Sequence, residues 1–244
     1  MKFFTPIYMS VLVKSINLAL ISTILCLIIG YPIAYIISRE KPSKRNTMIL
    51  MFVIPMWMNF LLRTYAWMTL LGRNGLINTI ITKKRPDFIL QSNIITKLGF
   101  SALDLMFNDT AVLLGMVYNF LPFMVLPIYS VLTKIDKGLL EASEDLGANI
   151  MTTFKKVIFP LSLPGVITGI TMVFIPAMST FVISSLLGGN KANLIGNLIE
   201  QQFRWTGDWH FGSSMSIILM IFILITMALT SKFDKEKEGG GGLW

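Results

Sequence analysis

The sequence predicts an all-α membrane protein that crosses the bilayer five times, and its composition and its charge pattern both lead to that fold class. Of its 244 residues, 54% are hydrophobic and only 14% are charged, about half the charged fraction of a typical soluble domain. Such a chain has too few polar side chains to cover a water-exposed surface. One cysteine and one histidine also exclude a disulfide framework and a cysteine- or histidine-rich metal site within this chain.

Five stretches are close to or above the roughly 20 apolar residues that a spanning helix needs. They are residues 15–38, 47–72, 110–133, 161–187 and 213–231. Only the second contains a charge, at Arg63. Residues 1–14 form an N-terminal segment, residues 15–231 the membrane domain, and residues 232–244 a charged tail that ends in a glycine-rich linker.

The lysines and arginines indicate which loops face the cytoplasm. The formal net charge of +8 reflects cations that flank the spans rather than nucleic acid binding. Residues 39–46 are a short loop with four cations, and short loops carry most weight in the positive-inside rule. This loop, residues 134–160 and the C-terminal tail are therefore predicted to be cytoplasmic.

Residues 134–160 are predicted to form a helix–turn–helix rather than an irregular loop. Asp136 is placed to cap a helix that begins near Lys137, and Gly147 is placed to end it in a left-handed conformation. A second helical run over 150–159 is predicted to stop at Pro160. A short amphipathic unit of this kind, held between two spans, is well shaped to fit a groove in a partner protein.

A spaced motif in this segment is similar to that of a known family. Glu141-Ala142-Ser143, three residues, Gly147, nine residues and then Val157-Ile158-Phe159-Pro160 resemble the EAA loop of ABC importer permeases. The resemblance implies that the loop is a cytoplasmic coupling helix that docks on a separate ATPase. The coupling residues that it implies are Glu141, Ala142, Ser143, Leu146, Gly147 and Pro160.

The similarity extends over nearly the whole chain, and it is strongest to permeases of spermidine/putrescine importers. The stretches that carry it include Arg63-Thr64-Tyr65-Ala66-Trp67, Ile195-Gly196-Asn197 and Asp208-Trp209-His210-Phe211-Gly212. It implies a multi-pass subunit of the bacterial cytoplasmic membrane that forms half of a polyamine path. The implied partners are a second permease subunit in a heterodimer, two copies of a P-loop ATPase, an extracytoplasmic substrate-binding protein and membrane lipid. Such permeases usually have six spans, and this sequence begins just after the place where the first of the six would fall.

The chain carries no recognisable catalytic machinery. No glycine is followed by Lys and then Ser or Thr, so the phosphate-binding loop of ATPases is missing from the sequence. No His/Glu metal motif and no Ser-His-Asp set is present either. The prediction is therefore a transport subunit that is not an enzyme and binds no cofactor itself, while ATP and Mg²⁺ are bound by the partner ATPase.

A polycation needs carboxylates or aromatic faces along its path. Cation–π contacts could come from Trp57, Tyr65, Trp67, Tyr118 and Tyr129, although Trp and Tyr also favour bilayer interfaces for unrelated reasons. Asn59 and Asn119 could line the same path. Arg63 has either a structural or snorkelling role, or a role in the gate or the path. Glu200, Asp208 and Trp209 are predicted to face the binding protein, with a solvated loop as the alternative.

Two other readings of the sequence remain open at this point. The same machinery could import another cargo, such as iron, sulfate or a phosphonate, and Arg63 would suit an anion better than a polyamine. A channel or carrier without an ATPase belongs to a different class, and the absence of carboxylates inside the predicted spans counts against proton coupling in such a carrier.

Overall fold

The computed structural model describes residues 5–72, 75–83, 105–189 and 192–238, and within these ranges the chain is helical with no strand, as predicted. The described residues form ten helices, which we label in chain order. They are α1 (Pro6–Arg39), α2 (Pro42–Trp57), α3 (Phe60–Leu71), α4 (Leu76–Lys83), α5 (Asp109–Leu132), α6 (Lys137–Asp145), α7 (Ile150–Ser179), α8 (Val182–Gly188), α9 (Ile195–Gln201) and α10 (Trp209–Glu238). Residues 239–244, the predicted linker, lie outside the described residues.

Four helices are long and apolar enough to cross a membrane. They are α1, α5, α7 and the Trp209–Ala228 part of α10. A fifth span exists if α2 is taken together with the helices after it, Phe60–Thr79, as one broken span. The fold class predicted from the sequence is therefore confirmed with four to five spans.

The predicted second span, residues 47–72, is not one continuous helix. It ends as α2 at Trp57 and resumes as α3 at Phe60, with a sharp bend between them. The side chain of Asn59 accepts a hydrogen bond from the backbone N–H of Leu61 at 2.8 Å. Asparagine favours such caps over helix interiors because its side chain competes for backbone groups, so Asn59 starts a new helix here.

The prediction that Pro160 stops the helix after the turn is wrong. The helix that begins at Ile150 passes through Pro160 and continues to Ser179. A π-turn over Phe154–Ile158 precedes the proline, and the N–H of Phe159 donates to the carbonyl of Phe154, five residues earlier. This wider turn accommodates a residue that has no N–H of its own. The predicted span 161–187 is also divided, because α8 begins at Val182 after a break.

Contacts divide the chain into two compact units, each built from three segments. Unit 1 is drawn from Met1–Ser22, Met56–Asn119 and Ala177–Ile217, and unit 2 from Thr23–Pro55, Phe120–Pro176 and Ile218–Trp244. The predicted N-terminal segment therefore contributes to unit 1, since α1 already begins at Pro6.

Unit 1 is held together by the packing of α5 against α8. Met116 is fully buried, as are Ile183 and Leu187 on α8. Gly115 allows this close approach, because a Cβ at that position would overlap the side chains of both α8 residues. Ion pairing adds to this unit, with Lys14 Nζ 2.9 Å from Asp109 Oδ1 in the first turn of α5.

Unit 2 is built around a methionine that fills the space beside two glycines. Met124 is fully buried, and its side chain lies against Gly30 of α1 and Gly169 of α7. A Cβ at Gly169 would lie 2.7 Å from the Met124 sulfur, so a residue larger than glycine at this position would clash with Met124. The single cysteine, Cys26, is fully buried in the same unit.

Candidate functional site

The predicted coupling loop begins with a capped helix, α6. The Asp136 side chain accepts a hydrogen bond from the N–H of Gly138 at 2.9 Å, which confirms the predicted cap. At the other end, Gly147 has φ +76°, its N–H donates to the Glu144 carbonyl at 2.8 Å, and the N–H of Ala148 donates to the Ser143 carbonyl at 3.0 Å. This pair of bonds around a left-handed glycine is a Schellman motif. The chain therefore reverses at the residue that the sequence indicated.

One side of α6 is fastened to the helix that follows the turn. Leu140 and Ser143 are its buried residues, each 9% exposed. The Ser143 hydroxyl lies 2.9 Å from the hydroxyl of Thr153 on α7 and also donates to the Leu140 carbonyl at 2.7 Å. The motif residue Ser143 therefore lies inside the loop and links its two helices.

The other side of α6 presents apolar side chains to the surroundings. Leu146 is 88% exposed, and Leu139 and Ala142 on the same helix are exposed as well. Ile150 and Met151 follow the turn, are 86% and 59% exposed, and also border a groove beside α1. We call Leu139, Ala142, Leu146, Ile150 and Met151 the coupling face. An exposed apolar surface of this kind suits a contact with another protein or with lipid.

The motif's acidic and proline residues lie apart from this link. Glu141 is exposed on α6. Pro160 is exposed on α7, two residues after the π-turn. The motif therefore has its acidic residue on the accessible helix α6 and its proline near the start of the spanning helix α7.

The start of α7 is locked to α1 by aromatic side chains that the sequence analysis did not single out. Tyr31 contacts Phe154 edge-to-face, with ring centres 5.7 Å apart, and Phe159 at 5.9 Å. Its hydroxyl lies 2.8 Å from that of Ser162. Tyr35, one turn further along α1, adds a second edge-to-face contact with Phe154. No periodic signal marks these residues as partners, because they come from helices far apart in sequence.

A groove of about 720 Å³ separates the coupling loop from the end of α1 in unit 2. Tyr35 and Arg39 line one side, and Glu144, Asn149 and Ile150 line the other. The guanidinium of Arg39 lies over the Tyr35 ring, 5.2 Å from its centre, which fixes where the charge sits.

Seven of the eight predicted path residues fall in unit 1, and Tyr129 falls in unit 2. Trp67 and Tyr118 form an edge-to-face pair with ring centres 5.1 Å apart. Trp57 is 80% exposed and Tyr65 is 50% exposed, so both present their rings at the surface of the chain. The structure brings together one aromatic pair rather than a continuous aromatic row.

The polar path candidates differ in burial and in role. Arg63 is 9% exposed and belongs to α3, so it lies among protein atoms and does not extend toward lipid as a snorkelling side chain would. Asn119 is 2% exposed and donates from Nδ2 to the Gly115 carbonyl at 2.8 Å. Asn59 is the cap of α3, which gives it a structural role.

The residues predicted to face a binding protein lie around the start of α10. Glu200 pairs with Arg204 at 2.9 Å, and Asp208 caps α10 by accepting from the N–H of Phe211 at 3.0 Å. Trp209 contacts Phe203 edge-to-face at 5.6 Å and is 66% exposed. A tryptophan that the sequence analysis missed, Trp205, is 83% exposed in the same segment.

Asn197 organises this region through four hydrogen bonds of its side-chain amide. Its Oδ1 accepts from the N–H of Leu194 at 3.0 Å and from the hydroxyl of Ser184 at 2.6 Å. Its Nδ2 donates to the Phe181 carbonyl at 3.1 Å and lies 2.7 Å from the hydroxyl of Ser185. One amide therefore ties α9 to α8 and to the break before it.

Comparison with known proteins decides the family. A model described as the binding-protein-dependent transport system inner membrane component matches residues 5–237. The chain belongs to this family. It is 41% identical over 216 residues to the spermidine/putrescine transport system permease protein PotB of Escherichia coli strain K12, a match that covers 88% of this chain and 74% of that relative. PotB of Haemophilus influenzae is 39% identical over 232 residues, covering 95% and 77%.

Solved structures of the same architecture are more distant in sequence. A chain of a bacterial ABC transporter involved in the import of alginate matches with a TM-score of 0.73 at 12% identity, covering 96% of this chain and 81% of that one. A chain of the MetNI methionine ABC transporter matches with a TM-score of 0.65 at 18% identity, covering 96% and 99%. These likenesses bear on the fold alone.

Family membership establishes the general role of the chain. It is an inner-membrane transport subunit of the ABC importer class, without catalytic activity of its own. Such subunits work with a separate ATPase and a substrate-binding protein. The alternative of a channel or carrier that acts without an ATPase is therefore excluded.

Proposed function

We propose that this chain forms half of the translocation path of an ATP-driven polyamine importer and receives the force of the ATPase at the coupling face. The second half is a similar permease subunit, so the path is that of a heterodimer. Two copies of a P-loop ATPase, which bind ATP and Mg²⁺, and an extracytoplasmic binding protein complete the assembly. The observation that carries this proposal is the coupling face, an exposed apolar surface on a capped helix that is hydrogen-bonded to a spanning helix.

The route of the force follows from the contacts within unit 2. A displacement of α6 acts on α7 through the Ser143–Thr153 hydrogen bond. Because α7 continues from Ile150 into the span, a displacement of its start acts on the span directly. The contacts of Tyr31 with Phe154 and Ser162 make α1 follow. A two-state movement of this kind, biased by nucleotide binding on the partner, would open the path on alternate sides.

Polyamines are the cargo that the relatives favour. The two PotB proteins at 41% and 39% identity are named for spermidine and putrescine, and the match runs through most of both chains. The Trp67–Tyr118 pair offers aromatic faces to an ammonium group, a contact worth about 0.5–2 kcal/mol. The binding protein would deliver one polyamine at a time, so the path does not need a carboxylate cage.

The coupling assignment is tested in proteoliposomes that contain the assembled importer. The double variant Glu141→Arg with Gly147→Pro alters the accessible acid and removes the Gly147 N–H of the Schellman motif. We expect uptake of radiolabelled spermidine to fall at least about tenfold and ATP hydrolysis to become independent of the binding protein. A double variant that still couples uptake to hydrolysis would show that the coupling face is misassigned.

The cargo is tested separately by competition and by one substitution in the aromatic pair. Unlabelled spermidine and putrescine should compete for uptake, whereas sulfate, a phosphonate and ferric iron should not. Trp67→Leu should raise the apparent KM for spermidine by about 2- to 30-fold, the range of one cation–π contact, while Trp67→Phe keeps most of the affinity. Competition by an anion and not by polyamines would refute the cargo and leave the coupling assignment intact.

A further inference from the structure

A second groove in unit 2 lies where α1 ends and α2 begins. It encloses about 470 Å³, and its lining includes Arg39, Lys41 and Arg45 together with the single acid Glu40. Glu40 lies 4.0 Å from the ammonium of Lys44, which is 71% exposed and is not part of the groove lining. The groove therefore has an excess of positive charge that its own acid does not neutralise.

One of these cations is held in place by its surroundings. Arg39 is the last residue of α1, and its guanidinium lies over the Tyr35 ring at 5.2 Å. A guanidinium held in this way loses less conformational entropy on binding than a free surface lysine does. Arg45 belongs to the first turn of α2, and its backbone N–H donates to the Lys41 carbonyl at 2.9 Å.

Arg45 is the residue that distinguishes this groove from an ordinary basic surface. Its Nε is shielded from solvent and has no hydrogen-bond partner among the residues that the structure describes. A buried charged donor without an acceptor is unfavourable, and an anionic oxygen is the acceptor that a guanidinium binds best, through two parallel hydrogen bonds. The groove is thus suited to a phosphate group.

We propose that this groove binds the phosphodiester headgroup of an anionic phospholipid. The apolar part of the lining, which includes Leu132 and Ile158, is unsuited to a free phosphate ion but suited to the glycerol and first methylenes of a lipid. The helices on either side present aliphatic side chains for the acyl chains, with Ile36 of α1 57% exposed and Met51 of α2 69% exposed. Anionic lipids are attracted to cationic segments that flank a span, and here that attraction is directed to one enclosed site.

The proposed lipid site adjoins the coupling loop. Tyr35, Arg39, Leu140 and Ile158 line both this groove and the 720 Å³ groove beside α6. A headgroup bound to Arg39 would therefore contact a side chain that also borders the coupling loop. The proposal concerns lipid binding alone and does not depend on the cargo or on the coupling assignment.

Native mass spectrometry of the assembled importer in detergent tests this site. The complex is titrated with palmitoyl-oleoyl-phosphatidylglycerol, with the phosphatidylcholine of the same chains as the zwitterionic reference. We expect preferential retention of phosphatidylglycerol and a loss of about tenfold in its affinity in Arg45→Gln, as expected for one charge-assisted hydrogen bond. Lys44→Gln changes the net charge equally in the same segment and should leave the affinity within about twofold.

Other results would overturn the proposal. Equal losses in Arg45→Gln and Lys44→Gln would mean diffuse attraction to a charged surface, and no loss in either would mean that the groove binds no headgroup. Displacement of the lipid by millimolar inorganic phosphate would show that the site takes a free anion instead. If Arg45→Gln does not assemble, Lys41→Gln against Lys44→Gln gives the same comparison, with the loss expected only in Lys41→Gln.

Discussion

Two segments of this molecule combine the same backbone features, which are a helix, a π-turn and a left-handed glycine, but in a different order. The coupling loop in unit 2 combines a helix, a left-handed glycine at Gly147 and a π-turn over Phe154–Ile158. The segment before α10 in unit 1 combines a helix, a π-turn over Gln202–Thr206 and a left-handed glycine at Gly207. In the first, the π-turn leads into Pro160 and the helix continues, whereas in the second the glycine follows the π-turn and the helix ends.

The order of these devices decides whether a movement is transmitted. In the coupling loop, the glycine separates α6 from α7, but α7 then runs unbroken into the span. In the other segment, Gly207 lies between α9 and α10, so α10 starts independently of α9. The exposed side chains differ as well, because the coupling loop exposes aliphatic residues and the other segment exposes Trp205 and Trp209. Aliphatic side chains suit a closely packed contact with a protein, whereas tryptophans suit an interface that is apolar on one side and hydrated on the other.

A charge in the coupling face should have the largest effect. Leu146→Asp places a carboxylate in the proposed apolar contact between the coupling face and the ATPase, where an unpaired charge is strongly unfavourable. We expect the ATPase to be lost on affinity purification and uptake to fall at least about tenfold. Trp205→Asp adds the same charge at an equally exposed position of the other segment and should retain the ATPase. Loss of the ATPase in both variants would erase the distinction between the two segments.

The amide of Asn197 should be the strongest determinant of stability in unit 1. Asn197→Leu leaves the part-buried Leu194 N–H without this acceptor and removes one donor from the more exposed Phe181 carbonyl. An unsatisfied buried group costs about 1–3 kcal/mol, so most of the loss should come from the Leu194 N–H. We expect a drop in Tm of at least about 3 °C. Asn197→Asp keeps the acceptor and loses the donor, so its Tm should lie between those of the unaltered protein and Asn197→Leu. An unchanged Tm in Asn197→Leu would contradict the role assigned to this residue.

The Ser143–Thr153 link should have a moderate effect on coupling. Ser143→Ala and Thr153→Val each remove one hydroxyl of a buried pair, and the interaction energy in a double-mutant cycle should be about 1 kcal/mol. Uptake per ATP hydrolysed should fall in both single variants and no further in the double variant. Additive losses would mean that the two hydroxyls act independently and that the force follows another route.

The two left-handed glycines provide the smallest and most closely matched test. Gly147 and Gly207 have φ of +76° and +69°, and a Cβ at either would meet no other atom within 4 Å. Alanine should therefore impose the same backbone strain of about 1–2 kcal/mol at both positions. We expect similar losses of Tm, with reduced uptake in Gly147→Ala only. Reduced uptake in both variants, in proportion to Tm, would mean that stability alone accounts for the effect.

The parts of this structure that depend on neighbouring residues were predictable from the sequence. Asp136 and Gly147 bound α6 because caps act within a few residues, and the spans follow from stretches of uncharged residues. Asn59 carries a local signal too, but the apolar stretch 47–72 predicted one helix across it.

The parts that depend on distant residues were not predictable from the sequence. Pro160 was expected to stop a helix, and it does not, because the π-turn before it is packed against Tyr31 of α1. Three hydrogen-bond partners of Asn197 lie at residues 181–185 and the fourth is Leu194. Sequence periodicity does not predict that these two segments meet. The grooves beside Arg39 likewise arise only when α1 meets the loops that follow α5 and α6.

Cross-linking from the coupling face tests the central claim most directly. The native Cys26 is the only cysteine and is buried, so a Cys26→Ser background carries no other thiol. Leu146→Cys in that background, treated with a short thiol–amine cross-linker in the assembled importer, should join to the ATPase, and the yield should change when ATP is bound. Trp205→Cys should give no such product. A cross-link from position 205 and none from position 146 would contradict the account.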